Sequence, residues 1–413
     1  MKKRQIPLDN IKQSIVYFRK QQSLLYLPFK IIIILLQYIC SHILHILIGE
    51  EDKKEKKIVG FSNIYYNGNP RAVFEWIQKY YSEKYEIFWV AKNLRTLKDV
   101  KKSGGKVFHV YSILGLPYFL KTDVWVLAHT GIGNLPFLSQ KNFKKIQLWH
   151  GVGYKGHKHS RSRLDYVFYD AWCTSSPWTK KRHIKLWDAP IKKLFVTGYA
   201  RLDRLCHYIN LSSHCRKKVF KEIGISSERK IIFYAPTYGM GLWPWNAECA
   251  GFEKFCKFCA SSNLTLVIRL HPYAKSEKKI LNQIIKNYQN IYLLNMDQEP
   301  DTMKILSVAD VLITDWSSIA TDFLVTKKPI IFMDVDKNRF VNEKKGEGII
   351  PQNIRPGEKV TDEDEFFYAL EICLEKNRFK EKQEKMLSKI HGNVDGKSSE
   401  RVVKIIEYLI KNE

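Results

Sequence analysis

The chain predicts an α/β protein of two doubly wound halves facing one cleft, preceded by an N-terminal helical segment that associates with a membrane. Three observations carry that expectation. Strand-like apolar runs alternate with helical stretches, and the alternation restarts after a polar region near 210–229. Such alternation is the signature of parallel sheets joined by right-handed crossovers. The runs also end in chemistry-bearing residues, at the strand ends where such folds collect ligands. Finally, 413 residues exceed what one hydrophobic core usually supports, so two domains are expected.

The first strongly apolar run is 31–48. Gln37, Ser41, His42 and His45 interrupt it, and Lys20, Lys30, Lys53 and Lys54 flank it on both sides. It is short for a spanning helix and has no preferred outer side. A helix lying in the membrane surface, with lysines drawing anionic lipid, satisfies both facts; an ordinary buried helix is the alternative. A charged stretch, 50–57, reads as a solvated linker. The first half then predicts a strand over 57–61, a helix over 69–81 opened by Pro70, and strands over 85–91, 124–128, 146–149, 166–168 and 194–197. The second half predicts strands over 231–234, 264–270, 291–294, 311–314 and 329–333. Between and after them come helices over 251–261, 278–286, 301–309, 318–325, 361–375 and 398–412. The expected boundaries are 1–57 for the membrane-associating segment and linker, 58–210 for the first Rossmann-like domain and 211–413 for the second, closed by the C-terminal helices.

Composition narrows the partner. Lys+Arg 68 against Asp+Glu 42 leaves a formal charge of +26, which favours a polyanion: nucleic acid, anionic lipid or a phosphate-rich substrate. No recognisable nucleic-acid module accompanies the charge, so nucleic acid is not the expected partner. The eight cysteines are scattered, unlike a secreted disulfide framework, and a reduced cytoplasmic setting is expected. Cys256 and Cys259 form a lone C-x-x-C on a helical stretch, where both sulfurs share an apolar face; a structural role is expected.

Three strand ends carry the candidate chemistry. Thr314, Asp315, Ser317 and Ser318 stand where a strand turns into a helix, a place rich in unsatisfied N–H groups and hydroxyls that suits an anion. Arg269 and His271 end another strand at alternate positions, suited to gripping a diphosphate, with a structural Arg and a capping His as the alternative. His150 follows a third, beside Gly151, Gly153 and Lys155. A neutral imidazole there could take a proton from an attacking hydroxyl, or could be a hydrogen-bonded structural His. His157 and His159 lack the further ligands a metal site needs. Asp334-Val335-Asp336 could hold a divalent cation, though a turn or cap role is the expectation. No cofactor is implied. The loop 239–245, with Trp243 and Trp245, stacks a base, touches lipid or packs on its own domain. There is no P-loop and no Gly-x-Ser-x-Gly elbow.

Taken together, these segments resemble the CDP-glycerol glycerophosphotransferase family of teichoic-acid-type primases and polymerases. The resemblance rests on Phe61-Ser62, Asn69-Pro70-Arg71, Phe88-Trp89-Val90, Leu148-Trp149-His150-Gly151 with Lys155, and Ser175-Ser176. It continues through Gly198-Tyr199-Ala200-Arg201-Leu202-Asp203, Tyr234-Ala235-Pro236-Thr237, Arg269-Leu270-His271-Pro272, Thr314 to Ser318, Asp322-Phe323 and Pro329 to Phe332. These run in family order from about residue 58 to the end.

The resemblance implies a GT-B-like architecture. The first domain would face the acceptor, with Gly151, Lys155 and Arg201. The second would bind a CDP-alditol donor, with Arg269, Thr237, Thr314, Asp315, Ser317 and Ser318. It implies transfer of an alditol phosphate from CDP-glycerol or CDP-ribitol to a lipid-linked glycan or growing chain, in teichoic-acid-like or capsular polymer synthesis. His150 would be the base, and His271 would stabilise the diphosphate and departing CMP. The setting would be the cytoplasmic face of the cell membrane, held peripherally. Val152-Gly153-Tyr154 replaces the family's frequent Thr-Pro-Leu, and Trp316 its usual Tyr, leaving donor and acceptor open. Two rivals stand beside this reading: a sugar-nucleotide glycosyltransferase of the same fold, and a non-catalytic polyanion-binding protein with a basic groove lined by stacking aromatics.

Overall fold

The computed structural model describes residues 56–128, 143–155, 169–211, 213–225, 229–237, 239, 241–245, 248–271, 274–296, 298–335 and 348–412, together with Ile32, Leu36 and Ile39. The expected membrane-associating run, the 166–168 strand, and His157, His159 and Asp336 lie outside the described residues, those three apolar side chains excepted. No described helix is long and apolar enough to cross a membrane.

The chain forms two parallel sheets. The first comprises β1 (Lys57–Ser62), β2 (Tyr85–Ala91), β3 (Val107–His109), β4 (Val124–Leu127), β5 (Lys144–Gln147), β6 (Ala171–Thr174) and β7 (Leu194–Val196). The second comprises β8 (Ile231–Tyr234), β9 (Thr265–Ile268), β10 (Ile291–Leu293), β11 (Val311–Thr314), β12 (Ile330–Met333) and β13 (Glu358–Val360). Most of their strands, β5 and β13 excepted, read as near-continuous apolar runs because helices cover both faces. In β1, Val59 and Phe61 pack with Phe74 and Ile77 of the helix Gly68–Tyr80. Ile58 turns the other way, into a cluster with Phe119 and Trp125. Gly60 is required between them: a Cβ there would lie 2.7 Å from the Trp125 ring.

Strand order places the site. The first sheet runs β3-β2-β1-β4-β5-β6-β7 and the second β10-β9-β8-β11-β12-β13. Each half starts in the middle, winds outward, then returns to the other side of its first strand. The switch points fall between β1 and β4 and between β8 and β11, where diverging connections leave a crevice beyond the strand carboxyl ends. One apolar cluster joins the halves, with Trp149, Val152 and Tyr154 from the first and Trp316, Phe332 and Ile350 from the second.

The closing helix, Ser398–Lys411, does not stay with the second half as expected. Its Val402, Val403 and Ile406 enter the cluster that holds Val59 and Phe61. Asp203 caps its start, accepting from the Ser398 and Ser399 amides at 3.2 and 2.8 Å. The apolar stripe fixes that the helix is buried, and the distant carboxylate decides against which sheet.

Candidate active site between the two sheets

The cleft opens where both switch points face one another. A cavity of about 200 Å³ is lined by Asn63 and Ala128 beyond β1 and β4, by Trp149 and His150 beyond β5, by Arg201, and by Asp301, Thr302, Ser317, Ser318 and Asp322 of the second half.

His150 is exposed on this cleft, its Nδ1 3.4 Å from the Ala128 carbonyl. The residue before it does the unusual work. Trp149 takes a left-handed backbone, φ 59°, a conformation that costs a non-glycine residue about 1–3 kcal/mol and persists only under outside constraint. Its buried ring is that constraint, 5.0 Å from Trp172 and 5.7 Å from Trp187. Asn69 supplies the rest: its Nδ2 donates to the Leu148 and Trp149 carbonyls at 3.1 and 2.9 Å, and its Oδ1 accepts from the Arg201 amide at 3.0 Å. One buried amide therefore ties three strand-end loops together. Gly151, at φ 150°, allows the His150 loop to meet the second half, since a Cβ there would stand 2.9 Å from Ser318 Oγ and 3.4 Å from Arg201 Nη2.

The expected phosphate-side residues divide into two groups. Ser317 and Ser318 are half-buried and line the cleft. Thr314 and Asp315 are fully buried behind them. Thr314 Oγ1 donates to the Ala235 carbonyl at 2.7 Å. Asp315 accepts from the Thr237 amide at 2.7 Å and from the Thr237 hydroxyl, so Thr237 too is engaged internally. Burial pushes the Asp315 carboxyl up, while the Thr237 hydrogen bonds and the Lys155 charge pull it down. Asp315 thus sets the β8 loop against the β11 turn. The helix after the turn is only Ile319–Phe323, running into a 3₁₀ turn, Leu324–Thr326. Its dipole is small, and two hydroxyls remain the main donors.

Arg269 departs from expectation. It is 7 % exposed; Nε donates to the Leu294 carbonyl at 3.1 Å, Nη1 to Thr302 Oγ1 at 2.7 Å, and Nη2 to the Glu299 carbonyl. Burial lowers its pKa to about 10. In this geometry the guanidinium braces the loop that carries Asp301 and Thr302 into the cleft, and offers no fork to a diphosphate. His271, two residues on, is exposed. Its basicity is lowered by desolvation, then by the charges of Lys155 and Lys278. Lys155 of the first half therefore sits within electrostatic reach of both His271 and Asp315 of the second.

Two ionic latches fix the halves, neither apparent from spacing. Arg201 forms a bidentate, buried pair with Asp322, Nε–Oδ2 2.9 Å and Nη2–Oδ1 2.8 Å, so its guanidinium is committed to the interface. Asp301 accepts from Arg204 Nη2 at 2.7 Å, with Arg71 Nη1 3.8 Å away. Burial raises the Asp301 carboxyl, but Arg204 and Arg71 outweigh it and hold the group at about 2. Behind the first latch, His391 is 2 % exposed and its Nε2 donates to the Thr321 carbonyl at 3.1 Å; burial lowers its pKa to about 4. Elsewhere Cys256 and Cys259 are fully buried and unbonded, as expected of a structural pair. Asp334 pairs with Arg355 at 2.8 Å.

Comparison with known proteins accords with this architecture. The profile of the family described as CDP-Glycerol:Poly(glycerophosphate) glycerophosphotransferase matches residues 45–408. A teichoic acid poly(glycerol phosphate) polymerase of Bacillus spizizenii is 25 % identical over 402 residues, covering 89 % of this chain and 92 % of that protein. The teichoic acid ribitol-phosphate polymerase TarL of Staphylococcus aureus is 26 % identical over 307 residues, 70 % of this chain but only 52 % of TarL. A solved structure of the wall teichoic acid polymerase TagF superimposes with a TM-score of 0.72 at 19 % identity, covering 99 % of each chain, and so shares the fold. The chain belongs to the CDP-glycerol:poly(glycerophosphate) glycerophosphotransferase family.

Proposed function

We propose that this chain transfers glycerol phosphate or ribitol phosphate from its CDP-linked form to a hydroxyl of a lipid-linked glycan or growing poly(alditol phosphate), releasing CMP. The observation that carries the reading is that His150 of the first half and Ser317 and Ser318 of the second line one cavity. In the proposed step, His150 takes the proton of the acceptor hydroxyl. The oxygen attacks the phosphorus that bears the alditol, the bond to the CMP oxygen breaks, and a phosphodiester forms as CMP leaves. Lys155, the two serine hydroxyls and His271 surround the diphosphate and take up the charge that moves onto CMP. Such a reaction needs mainly positioning and charge neutralisation. His271 is less basic than a free imidazole, so Lys155 supplies the standing charge, and a bound diphosphate would raise His271 again.

The acceptor approaches over the first half, past Gly151. Peripheral membrane attachment is part of the proposal: Ile32, Leu36 and Ile39 fall on one helical face and are 53 %, 51 % and 52 % exposed, which suits the apolar side of a surface-lying helix. The test is a donor panel with CDP-glycerol, CDP-ribitol, CDP-choline and UDP-sugars, given a lipid-diphosphate acceptor. CMP release from a CDP-alditol alone is expected; turnover of UDP-sugars instead would make the protein a glycosyltransferase.

A further inference from the structure

Behind the Ser317–Ser318 turn lies a buried cluster that the proposed chemistry leaves unused. Arg355 is 6 % exposed. Its Cζ stands 4.1 Å from the centroid of Trp316 and 5.6 Å from that of Phe332. Its Nη2 lies 2.8 Å from Asp334 Oδ2, and its Nε donates to the Gln352 carbonyl at 3.2 Å. Trp316 is fully buried, and its indole N–H donates to the Val335 carbonyl at 3.0 Å. The ring is thus gripped on its face by a guanidinium and at its edge by a carbonyl. Ser317 and Ser318 follow it directly in the chain.

The same turn is gripped from the other side by the close approach of Gly151 to Ser318. The segment leading to Arg355 reaches that side too. Ile350 N donates to the Gly153 carbonyl at 3.2 Å, and Arg182 donates to the Ile349 and Gly348 carbonyls, each at 2.9 Å. Gly348 lies so close that a Cβ would be 2.3 Å from the Tyr154 carbonyl oxygen. One segment, 348–355, therefore touches the loop that carries His150 and ends under the turn that carries the serines.

Burying a guanidinium is costly even when it is paired, and an apolar residue would fill the space at less cost. An arginine kept there accomplishes something an apolar residue would not. Its flat face stacks on the indole, and its charge is held in place by Asp334. We propose that Arg355, oriented by Asp334 and stacked on Trp316, is a positioning residue that sets the Ser317–Ser318 turn at its distance from the His150 loop. Donor affinity depends on it and acceptor affinity does not. Asp334, the first carboxylate of the Asp-x-Asp, thereby serves as the arginine's partner.

This inference rests on the reading of Ser317 and Ser318 as the donor-phosphate side. The experiment measures KM for the CDP-alditol and for the acceptor, and melting temperature, in wild type, Arg355→Met, Arg355→Lys, Trp316→Leu, Trp316→Tyr and Asp334→Asn. A misplaced binding group costs on the order of 10- to 100-fold, so Arg355→Met and Trp316→Leu are expected to raise donor KM about 10-fold or more while acceptor KM stays within about 2-fold. Arg355→Lys recovers part of the loss and Trp316→Tyr, which keeps an aromatic face, recovers most. The Arg355→Met/Trp316→Leu double variant is expected to be no worse than either single, because both act through one stack. Should Arg355→Met fail to fold, Arg355→Lys and Asp334→Asn, each expected to raise donor KM by a smaller factor, carry the comparison. Unchanged donor KM in folded Arg355→Met, Trp316→Leu or Asp334→Asn overturns the inference, as does a parallel rise in both KM values. Wild-type protein that releases no CMP from any CDP donor overturns the parent reading, and this one with it.

Discussion

Asn69 offers the sharpest perturbation, because replacing one side-chain nitrogen by oxygen reverses its role. The amide is 2 % exposed and makes three hydrogen bonds: two donated, at 3.1 and 2.9 Å, to the backbone that presents His150, and one accepted from Arg201 N at 3.0 Å. Asn69→Ala removes all three, at about 1 kcal/mol each and more where a buried group is left unpaired, so about 3 kcal/mol in total. That corresponds to a fall of roughly 3–4 °C in melting temperature for a chain of this size. Asn69→Asp keeps the accepted bond but turns both donated bonds into close contacts between oxygens, so it is expected to be worse than alanine despite its matching shape. Because the affected carbonyls flank His150, CMP release should fall by on the order of 10- to 100-fold in both variants. Thermal unfolding and a coupled CMP assay read the two effects. An aspartate variant more stable than the alanine variant, or an alanine variant with wild-type turnover, would refute the proposed tie.

Three further expectations follow from the same geometry. Removing one partner of the buried Arg201–Asp322 pair, as in Asp322→Leu or Arg201→Met, should cost about 3–5 kcal/mol, whereas Arg201→Met/Asp322→Leu recovers most of it; denaturant unfolding of the four proteins of the cycle decides, and singles costing under about 1 kcal/mol would contradict the latch. His391 has a folded pKa near 4, below its ordinary 6.5. The unfolded chain therefore takes the proton first: the stabilisation is whole above pH 6.5 and is lost as pH falls towards 4, by about 3 kcal/mol at most. His391→Gln should flatten stability across that window, and an unchanged acid limb would count against the assignment. Cys256 and Cys259 are fully buried, and burial pushes both thiols well up, so a thiol reagent should label them only after unfolding, as read by peptide mass; labelling in native protein would show that the helix they share opens readily.

Much of the fold was legible because the strands that build it announce themselves. The run 85–91 is rich in aromatic and β-branched residues and forms β2 over that same span, and Pro70 marks the start of the helix Gly68–Tyr80. Two short strands were not legible. Ala171–Thr174 and Val107–His109 have only four and three residues, and pairing between neighbours sustains them where propensity does not. Of the candidate site, the strand-end positions of His150, Ser317 and Ser318 could be read from the pattern, since the switch-point rule places such ends together. What the pattern does not contain is which polar groups are already occupied. Arg269 and Asp315 look like ligand residues in sequence, and only the Leu294, Thr302 and Thr237 partners show them bracing loops. Asn69, Asp301 and Asp322 act across 97 to 132 positions of chain, a distance at which local spacing carries no signal.

The most direct test of the central claim is CMP release from CDP-glycerol and CDP-ribitol by wild-type and His150→Ala protein, at matched melting temperature and with a lipid-diphosphate acceptor. Turnover by wild type and its loss, by a factor of about 100 or more, in the folded variant is the expected result for a general base. A folded His150→Ala protein that releases CMP at the wild-type rate would contradict it.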